Sequence, residues 1–475
     1  MSYRIRCVAA VVTGLLLAAV AIVATGSRVV CAGPGAKRAF TLIYTSQAYG
    51  SIRSCNCSKF RYGGYSRQAT WVKELRKASP DTVVVEGGDM MPGADSPLEA
   101  SRGRVIAECL RIMDYAAVVP GESDITSNLT NLKTSAGKST EFVSANVTAT
   151  VAGKPKVQPF SVRKLPGGVR VGITGVVDNR LLQAELLPKA GVAVTDPIAA
   201  AKKIVPQIRK KADVVVLIAH CPPELAKKIA AVAGIDVVIC THVTRNVIMP
   251  KTGNELEAPT ERIGRTLYLE SGTRSTWSVG RLDLVLDAKN TVEESTNRLV
   301  YLGRECEEDA EVVALYNTYN TEIREIVLEQ RQKMRAKTDA RVRAMGVDPD
   351  KLRRKTDYLG SEACKSCHED AYKTWSESTH SKAFATLVSR GQEYDPDCVS
   401  CHVTGAHTIG GFVNAKETPE RTNVQCESCH GPGRQHIAKT NQPYGAAGEE
   451  GCRGCHTDSI NPDFDYEPRW KKIAH

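Results

Sequence analysis

The chain has 475 residues, 42% hydrophobic and 24% charged, proportions ordinary for globular protein and a length that suits two or three domains rather than one core. The formal charge of +10 is compatible with nucleic acid or an acidic membrane surface, but no nucleic-acid motif occurs, so nucleic acid is not an expected partner.

The first residues read Met-Ser-Tyr-Arg-Ile-Arg and lead into apolar and small residues from Cys7 to Ala24. A basic start before such a run is a secretory pattern. Gly26 and Ala32 offer small residues for cleavage. At 18 residues the run is also long enough to stay as a membrane anchor. Cys31 does not make a lipoprotein site, because Val30 stands where a small residue belongs. Either outcome places the bulk of the chain in the periplasm or otherwise outside the cytoplasm, and an uncleaved segment makes the membrane a partner.

Residues 38–287 alternate short apolar runs with helical stretches. The runs Phe40–Thr45, Thr82–Val85, Ala116–Val119, Val169–Val176, Val214–Ala219 and Val237–Ile239 predict buried strands, several leading into Gly, Asp or His. Tyr65–Lys77 and Ile198–Lys211 predict helices, the second kinked or broken at Pro206. This is a layered α/β domain, in which polar residues at strand ends carry the chemistry. Residues 140–165 and 246–262 read as loops. Residues 307–345 are charged, and Val312, Tyr316, Tyr319, Ile323 and Ile326 recur at helical spacing. They predict a long helix linking two domains, packed on its own domain or on a second chain. Its later half carries Arg331, Lys333, Arg335, Lys337, Arg341 and Arg343.

Eight of the 16 cysteines and eight of the 10 histidines lie from Cys364 onward. They form four Cys-x-x-Cys-His units: Cys364, Cys367, His368; Cys398, Cys401, His402; Cys426, Cys429, His430; and Cys452, Cys455, His456. This is the attachment signature of c-type haem. Two thioethers grip one porphyrin edge and the adjacent histidine lies under the iron. A zinc ribbon needs paired Cys-x-x-Cys but no histidine after each. Residues 356–475 contain no methionine. The four spare histidines His380, His407, His436 and His475 are therefore the candidate opposite ligands, implying low-potential iron. Four haems in so short a segment must themselves be its core, and their propionates offset much of the positive charge.

The stretch Cys364-Lys-Ser-Cys-His-Glu-Asp-Ala-Tyr-Lys-Thr-Trp375 through His380, with Asp397-Cys-Val-Ser-Cys-His-Val-Thr-Gly405 and Cys426-Glu-Ser-Cys-His-Gly-Pro-Gly433, resembles the tetrahaem cytochrome c554 family. The resemblance implies that His380 ligates the haem on His430, and that His436 ligates the haem on His368. In the family the second haem lacks an obvious opposite histidine. This chain departs by having His407 five residues after His402.

The α/β domain resembles the calcineurin-like metallophosphatases, nearest the 5′-nucleotidase branch. The resemblance rests on Thr41-Leu-Ile-Tyr-Thr-Ser, Gly63-Gly-Tyr-Ser-Arg, Glu86-Gly-Gly-Asp89, Gly121-Glu-Ser-Asp124, Ile218-Ala-His220, Ile239-Cys-Thr-His242 and Ser278-Val-Gly-Arg-Leu-Asp283. It implies a two-metal site, but Gln47 and Tyr49 stand where the family has Asp and His, and Val243-Thr244 replaces the end of its final motif. Asp89, Glu122, His220 and His242 match the second metal's ligands and suit one zinc, manganese or iron. Cys55 and Cys57 either bind metal, pair elsewhere or are unrelated thiols.

The expected layout is multidomain: 1–35 a signal peptide or anchor, 36–290 an α/β layered metallophosphatase-like domain, 291–355 a helical linker, and 356–475 a small, mainly α multihaem cytochrome c domain. The expected function is electron transfer between redox partner proteins through four covalent haems c, fused to a degenerate phosphoesterase. The alternatives are a haem-based reductase of a small nitrogen or sulfur compound, favoured by an open iron, and an active phosphoesterase, favoured by a two-metal ligand set.

Overall fold

A computed structural model describes residues 37–475 apart from 55–61, 92–95, 127–139, 150–156, 184, 186, 244–249, 251–252, 273–275, 355–356, 407, 409, 443, 459 and 462. The run 7–24, Cys55, Cys57, Thr244 and His407 lie outside the described residues. Among those described, no helix is long and apolar enough to cross a membrane.

The strands are β1 (Arg38–Thr45), β2 (Thr82–Glu86), β3 (Ala117–Val118), β4 (Glu141–Phe142), β5 (Val147–Ala149), β6 (Ser161–Lys164), β7 (Arg170–Val177), β8 (Val192–Val194), β9 (Val214–His220), β10 (Val237–Cys240), β11 (Glu255–Glu257), β12 (Thr260–Ile263), β13 (Thr266–Glu270), β14 (Ser278–Leu286) and β15 (Val292–Tyr301). One sheet runs β11-β15-β14-β1-β2-β3-β4 and a second β12-β13-β10-β9-β7-β6. The segments β1 to β4 are parallel, as are β7, β9, β10 and β13.

Strand alternation explains the layering. Phe40, Leu42 and Tyr44 of β1 meet Val171, Ile173, Val214 and Val216 of the other sheet in one core. Ile43 and Val84 point the opposite way, against the helices Tyr65–Ala78 and Pro97–Ile112. Val215, Leu217 and Ala219 pack on the helices Pro197–Arg209 and Pro223–Ala230. A period of two thus gives each sheet two apolar faces and a helix–sheet–sheet–helix sandwich. Each buried Leu, Ile or Val contributes about 1.5–3 kcal/mol.

The structure corrects four sequence readings. The helix Pro197–Arg209 continues through Pro206; Lys202 and Pro206 are both exposed, so the carbonyl left unbonded faces solvent. The stretches read as loops contain β4, β5, β6, β11 and β12, short strands without a readable period. β15 pairs along β14, so the α/β domain continues past residue 290 and the expected linker begins inside a hairpin. The long helix spans Ala310–Ala344, capped by Asp309 on the N–H groups of Glu311 and Val312, and it buries Val327 rather than Ile326. Its first half belongs to the α/β core through Val312, Tyr316, Tyr319 and Ile323.

Residues 357–475 are built differently. Their longest helix, Glu369–Glu377, has nine residues. Among the described residues their buried apolar cluster is Phe384, Leu387, Val399, Val403 and Phe412.

Candidate functional sites

Four side chains meet at the C-terminal ends of parallel strands, where the edge of an α/β sheet opens. Asp89 follows β2, Glu122 follows β3, His220 ends β9 and His242 follows β10. One ligand atom from each lies within 4.8 Å of all the others. His220 Nε2 is 2.7 Å from Glu122 Oε2 and 3.2 Å from Asp89 Oδ2, and His242 Nδ1 is 3.4 Å from Glu122 Oε1.

The surrounding backbone has few alternatives. Gly88 has φ +96°, and a Cβ there would lie 2.6 Å from the Gly121 nitrogen. A Cβ on Gly121 would lie 2.4 Å from Asp89 Oδ1. Gln47, Tyr49 and Asp89 all take positive φ, of 56°, 46° and 59°. Such strain persists only where surroundings enforce it, and it gathers at functional sites.

Burial opposes charge on both Asp89 and His220, and hydrogen bonding reverses it. His220 and Ser123 hold the Asp89 carboxyl below the ordinary carboxylate range. Asp89 and Glu122 push His220 well above the ordinary imidazole range. Asp124 beneath them, buried and near the Asp89 charge, is pushed up to about 7. Both shifts favour positive charge between the two carboxylates, charge that a divalent cation bound by neutral imidazole can supply.

The residues fit a metal by two further observations. His220 Nδ1 sits 2.8 Å from the Gly87 carbonyl, which leaves Nε2 aimed at the cluster. His242 Nδ1 is buried and has no hydrogen-bond partner. The other side of the site differs: the Tyr49 hydroxyl donates to Asp89 Oδ2 at 3.1 Å, and Gln47 Nε2 donates to that hydroxyl at 3.2 Å. Ser123 Oγ donates to Asp89 Oδ1 at 2.7 Å.

In the Cys-x-x-Cys-His segment, three motif histidines face a spare one. His368 and His436 have ring centroids 6.1 Å apart, His380 and His456 6.3 Å, and His430 and His475 5.8 Å. Two metal–nitrogen bonds of about 2 Å, plus the ring radii, put the centroids of trans imidazoles about 6 Å apart. The separations therefore fit iron between the rings. The partner of His380 differs from the sequence reading: it faces His456, while His475 from the C-terminus takes the place beside His430. Among the described residues no imidazole ring faces His402.

Proximal-type histidines are also oriented. His402 Nδ1 lies 2.6 Å from the Ala383 carbonyl, and His430 Nδ1 lies 2.7 Å from the Gly445 carbonyl. Such contacts fix the ring and free Nε2 for metal. The Cys364 and Cys426 sulfurs lie close enough to interact, as do those of Cys401 and Cys455. The first motif therefore lies beside the third, and the second beside the fourth.

The two regions touch through residues the sequence did not flag. Arg102, 4% exposed, donates to Asp397 Oδ2 at 2.8 Å and to Glu99 Oε1 at 3.2 Å. Asp397 directly precedes Cys398, so the second motif docks against the α/β domain. Neither periodicity nor motif spacing signals a buried arginine.

Residues 363–431 match the family described as cytochrome c554 and c-prime. Cytochrome c-554 of Nitrosomonas europaea is 32% identical over 130 residues, 24% of this chain and 55% of that protein. The 2′,3′-cyclic-nucleotide 2′-phosphodiesterase/3′-nucleotidase of Yersinia enterocolitica is 30% identical over 177 residues, 33% of this chain and 27% of that one. The 5′-nucleotidase precursor structure from Thermus thermophilus superposes with a TM-score of 0.50 at 19% identity, covering 60% of this chain and 59% of that one, which shows the fold. The chain spans about half of the cytochrome relative and about a quarter of the phosphodiesterase. The cytochrome likeness implies covalently bound haem c. The chain joins a segment similar to the cytochromes c554 to an α/β domain similar to the 5′-nucleotidases and the 2′,3′-cyclic-nucleotide 2′-phosphodiesterase/3′-nucleotidases.

Proposed function

We propose that this protein is an extracytoplasmic electron carrier with four covalent haems c, serving redox partner proteins, and that its α/β domain holds at most one divalent metal and hydrolyses phosphate esters poorly or not at all. The observation that carries the first part is the set of three imidazole pairs 5.8–6.3 Å apart, each containing one motif histidine. Covalent haem supplies one-electron chemistry. The chain's own residues orient the histidines through main-chain carbonyls and bring the attachment sulfurs together in pairs. Adjacent attachment points support electron passage along the segment, and the absence of methionine from 356–475 supports low potentials. The basic and apolar N-terminus supports export. A pyridine haemochrome assay on the purified protein is expected to give four haems per chain; clearly fewer overturns the reading.

The Tyr49 hydroxyl on Asp89 supports the second part. Asp89 is the carboxylate that the family's two metals share, and a neutral phenol with an amide behind it replaces two strong ligands. A second metal would lack both charge and donors, so in-line displacement has no two-metal clamp. By the metallophosphatase resemblance, Glu122-Ser123-Asp124 stands where the family has Asn-His-Glu, and the Ser123 hydroxyl is no general acid at neutral pH.

That no imidazole among the described residues, which leave out His407, faces His402 favours a second reading, reduction of a small nitrogen or sulfur compound at that haem. One high-spin ferric haem and carbon monoxide binding by the reduced protein are the expected results. Four low-spin irons, none binding carbon monoxide, would remove this reading and leave the carrier.

A further inference from the structure

Buried charge concentrates where the α/β domain meets the second haem-attachment motif. Arg102, on the helix Pro97–Ile112, is 4% exposed, and Asp395, which caps the helix Pro396–His402, is 6% exposed. Arg102 Nη2 lies 2.8 Å from Asp397 Oδ2 and 3.9 Å from Asp395 Oδ1, and Arg102 Nη1 lies 3.2 Å from Glu99 Oε1. Arg53, from the loop after β1, also faces Asp395, while its Nη2 donates to the Tyr316 carbonyl at 2.8 Å and to Asn320 Oδ1 at 2.6 Å. The joint thus sets two guanidiniums against three carboxylates, and Arg102 pairs with all three.

Stability alone does not account for this arrangement. Taking an arginine and its carboxylates out of water costs about as much as their attraction returns, and apolar side chains of similar volume would join the two regions as well. Apolar side chains cannot supply charge beside Cys398. That residue directly follows Asp397, and Arg102, Arg53, Asp395 and Asp397 all act on its sulfur. Cys398 is one of the two attachment sulfurs of the second motif, so these charges sit at the edge where that haem is held. Reduction of iron adds one negative charge. A fixed positive charge nearby favours that step and a negative one opposes it, more strongly where water is excluded.

We propose that Arg102 is a positioning residue for the second haem: it fixes Asp395 and Asp397 beside Cys398, and its charge raises the reduction potential of the haem on His402 against their pull. The inference rests on haem being carried at the second motif. It gives the α/β domain a part in electron transfer that needs no metal at the Asp89 cluster.

The test is a potentiometric titration of the full-length, haem-loaded protein, followed by absorbance and electron paramagnetic resonance. Arg102→Gln is expected to lower one midpoint potential and Asp395→Asn to raise that same one, the others moving less. Asparagine caps a helix as well as aspartate does, so Asp395→Asn keeps the start of the helix Pro396–His402. Arg102→Lys keeps the charge and loses the fork, and is expected to bring the potential back toward wild type. A merely loosened joint would admit water, which favours the more highly charged ferric iron and lowers the potential in every variant. Opposite signs therefore separate charge from support. Circular dichroism checks each fold. If Arg102→Gln fails to fold, Asp395→Asn decides alone, with the exposed Asp397→Asn expected to raise the same midpoint by less. Midpoints unchanged in Asp395→Asn, or moved the same way as in Arg102→Gln, with a full haem count by pyridine haemochrome, overturn this proposal and leave the electron-carrier reading standing. A wild-type count that lacks the second haem overturns both.

Discussion

The α/β domain and the Cys-x-x-Cys-His segment reach order by opposite routes. The first buries its own side chains in four clusters among its described residues, the three largest between and outside two sheets. The second has helices of at most nine residues and a five-residue apolar cluster among its described residues. Yet both use one local device. A main-chain carbonyl holds Nδ1 of His220, at 2.8 Å from Gly87, and of His430, at 2.7 Å from Gly445. The comparison separates what makes a fold from what makes a ligand. A core of Val, Ile and Leu is general, whereas an imidazole with Nδ1 tied back and Nε2 free marks a metal-type site in either setting.

The largest effect expected comes from removing a haem attachment point. Cys426→Ala is expected to leave three haems by pyridine haemochrome and to disturb the whole segment, because a lost porphyrin is lost core. The α/β domain's thermal transition should persist. If the segment keeps its circular dichroism with three haems, side chains alone supply its core and the contrast fails. Next comes the reverse experiment. Ile173 is fully buried between the sheets, and Ile173→Ala is expected to cost about 2–5 kcal/mol by denaturant unfolding without changing the haem count.

A smaller effect concerns metal. Elemental analysis corrected for haem iron is expected to find one equivalent at most, lost in His242→Ala, with the haem spectrum unchanged. Two equivalents with robust 5′-nucleotidase turnover would make this chain a hydrolase carrying a cytochrome.

Legibility differed between the regions for physical reasons. Strand positions were readable because buried parallel strands are continuous apolar runs, and β1, β2, β7 and β9 shift from the expected ends by one or two residues. The residues Asp89, Glu122, His220 and His242 were readable because short motifs place them at strand ends. The edge strands β11 and β12 were not, because they pair through backbone while their side chains stay largely exposed. Nor was the partner of His380. Sequence separation says nothing about which of several short helices folds back on which, and the terminal His475 competes for the place beside His430. Tyr49 was readable as a missing ligand but not as a hydrogen-bond donor to Asp89.

The smallest effect is a pH dependence confined to the α/β domain. Glu86, at the end of β2, is 1% exposed. Its carboxylate accepts the Thr45 hydroxyl and the N–H groups of Gly87 and Gly88, the latter two at 3.1 and 3.2 Å. Burial, with the Asp124 charge adding to it, outweighs these bonds and pushes Glu86 up to about 8. An unfolded glutamate titrates near about 4.3. Between those values the folded chain holds a proton that the unfolded chain has released, so stability falls as pH rises through the window, and the loss is complete above it. Glu86→Gln removes the titration and keeps an acceptor for the two glycine N–H groups. Thr45 Oγ1 lies 2.9 Å from the Tyr115 hydroxyl, so it can donate there and accept from the new amide. The variant should match wild type at about pH 4 and exceed it in melting temperature at about pH 9. A difference that stays the same across that range would mean that Glu86 is ionised in the folded protein, and that the hydrogen bonds, not burial, set its state.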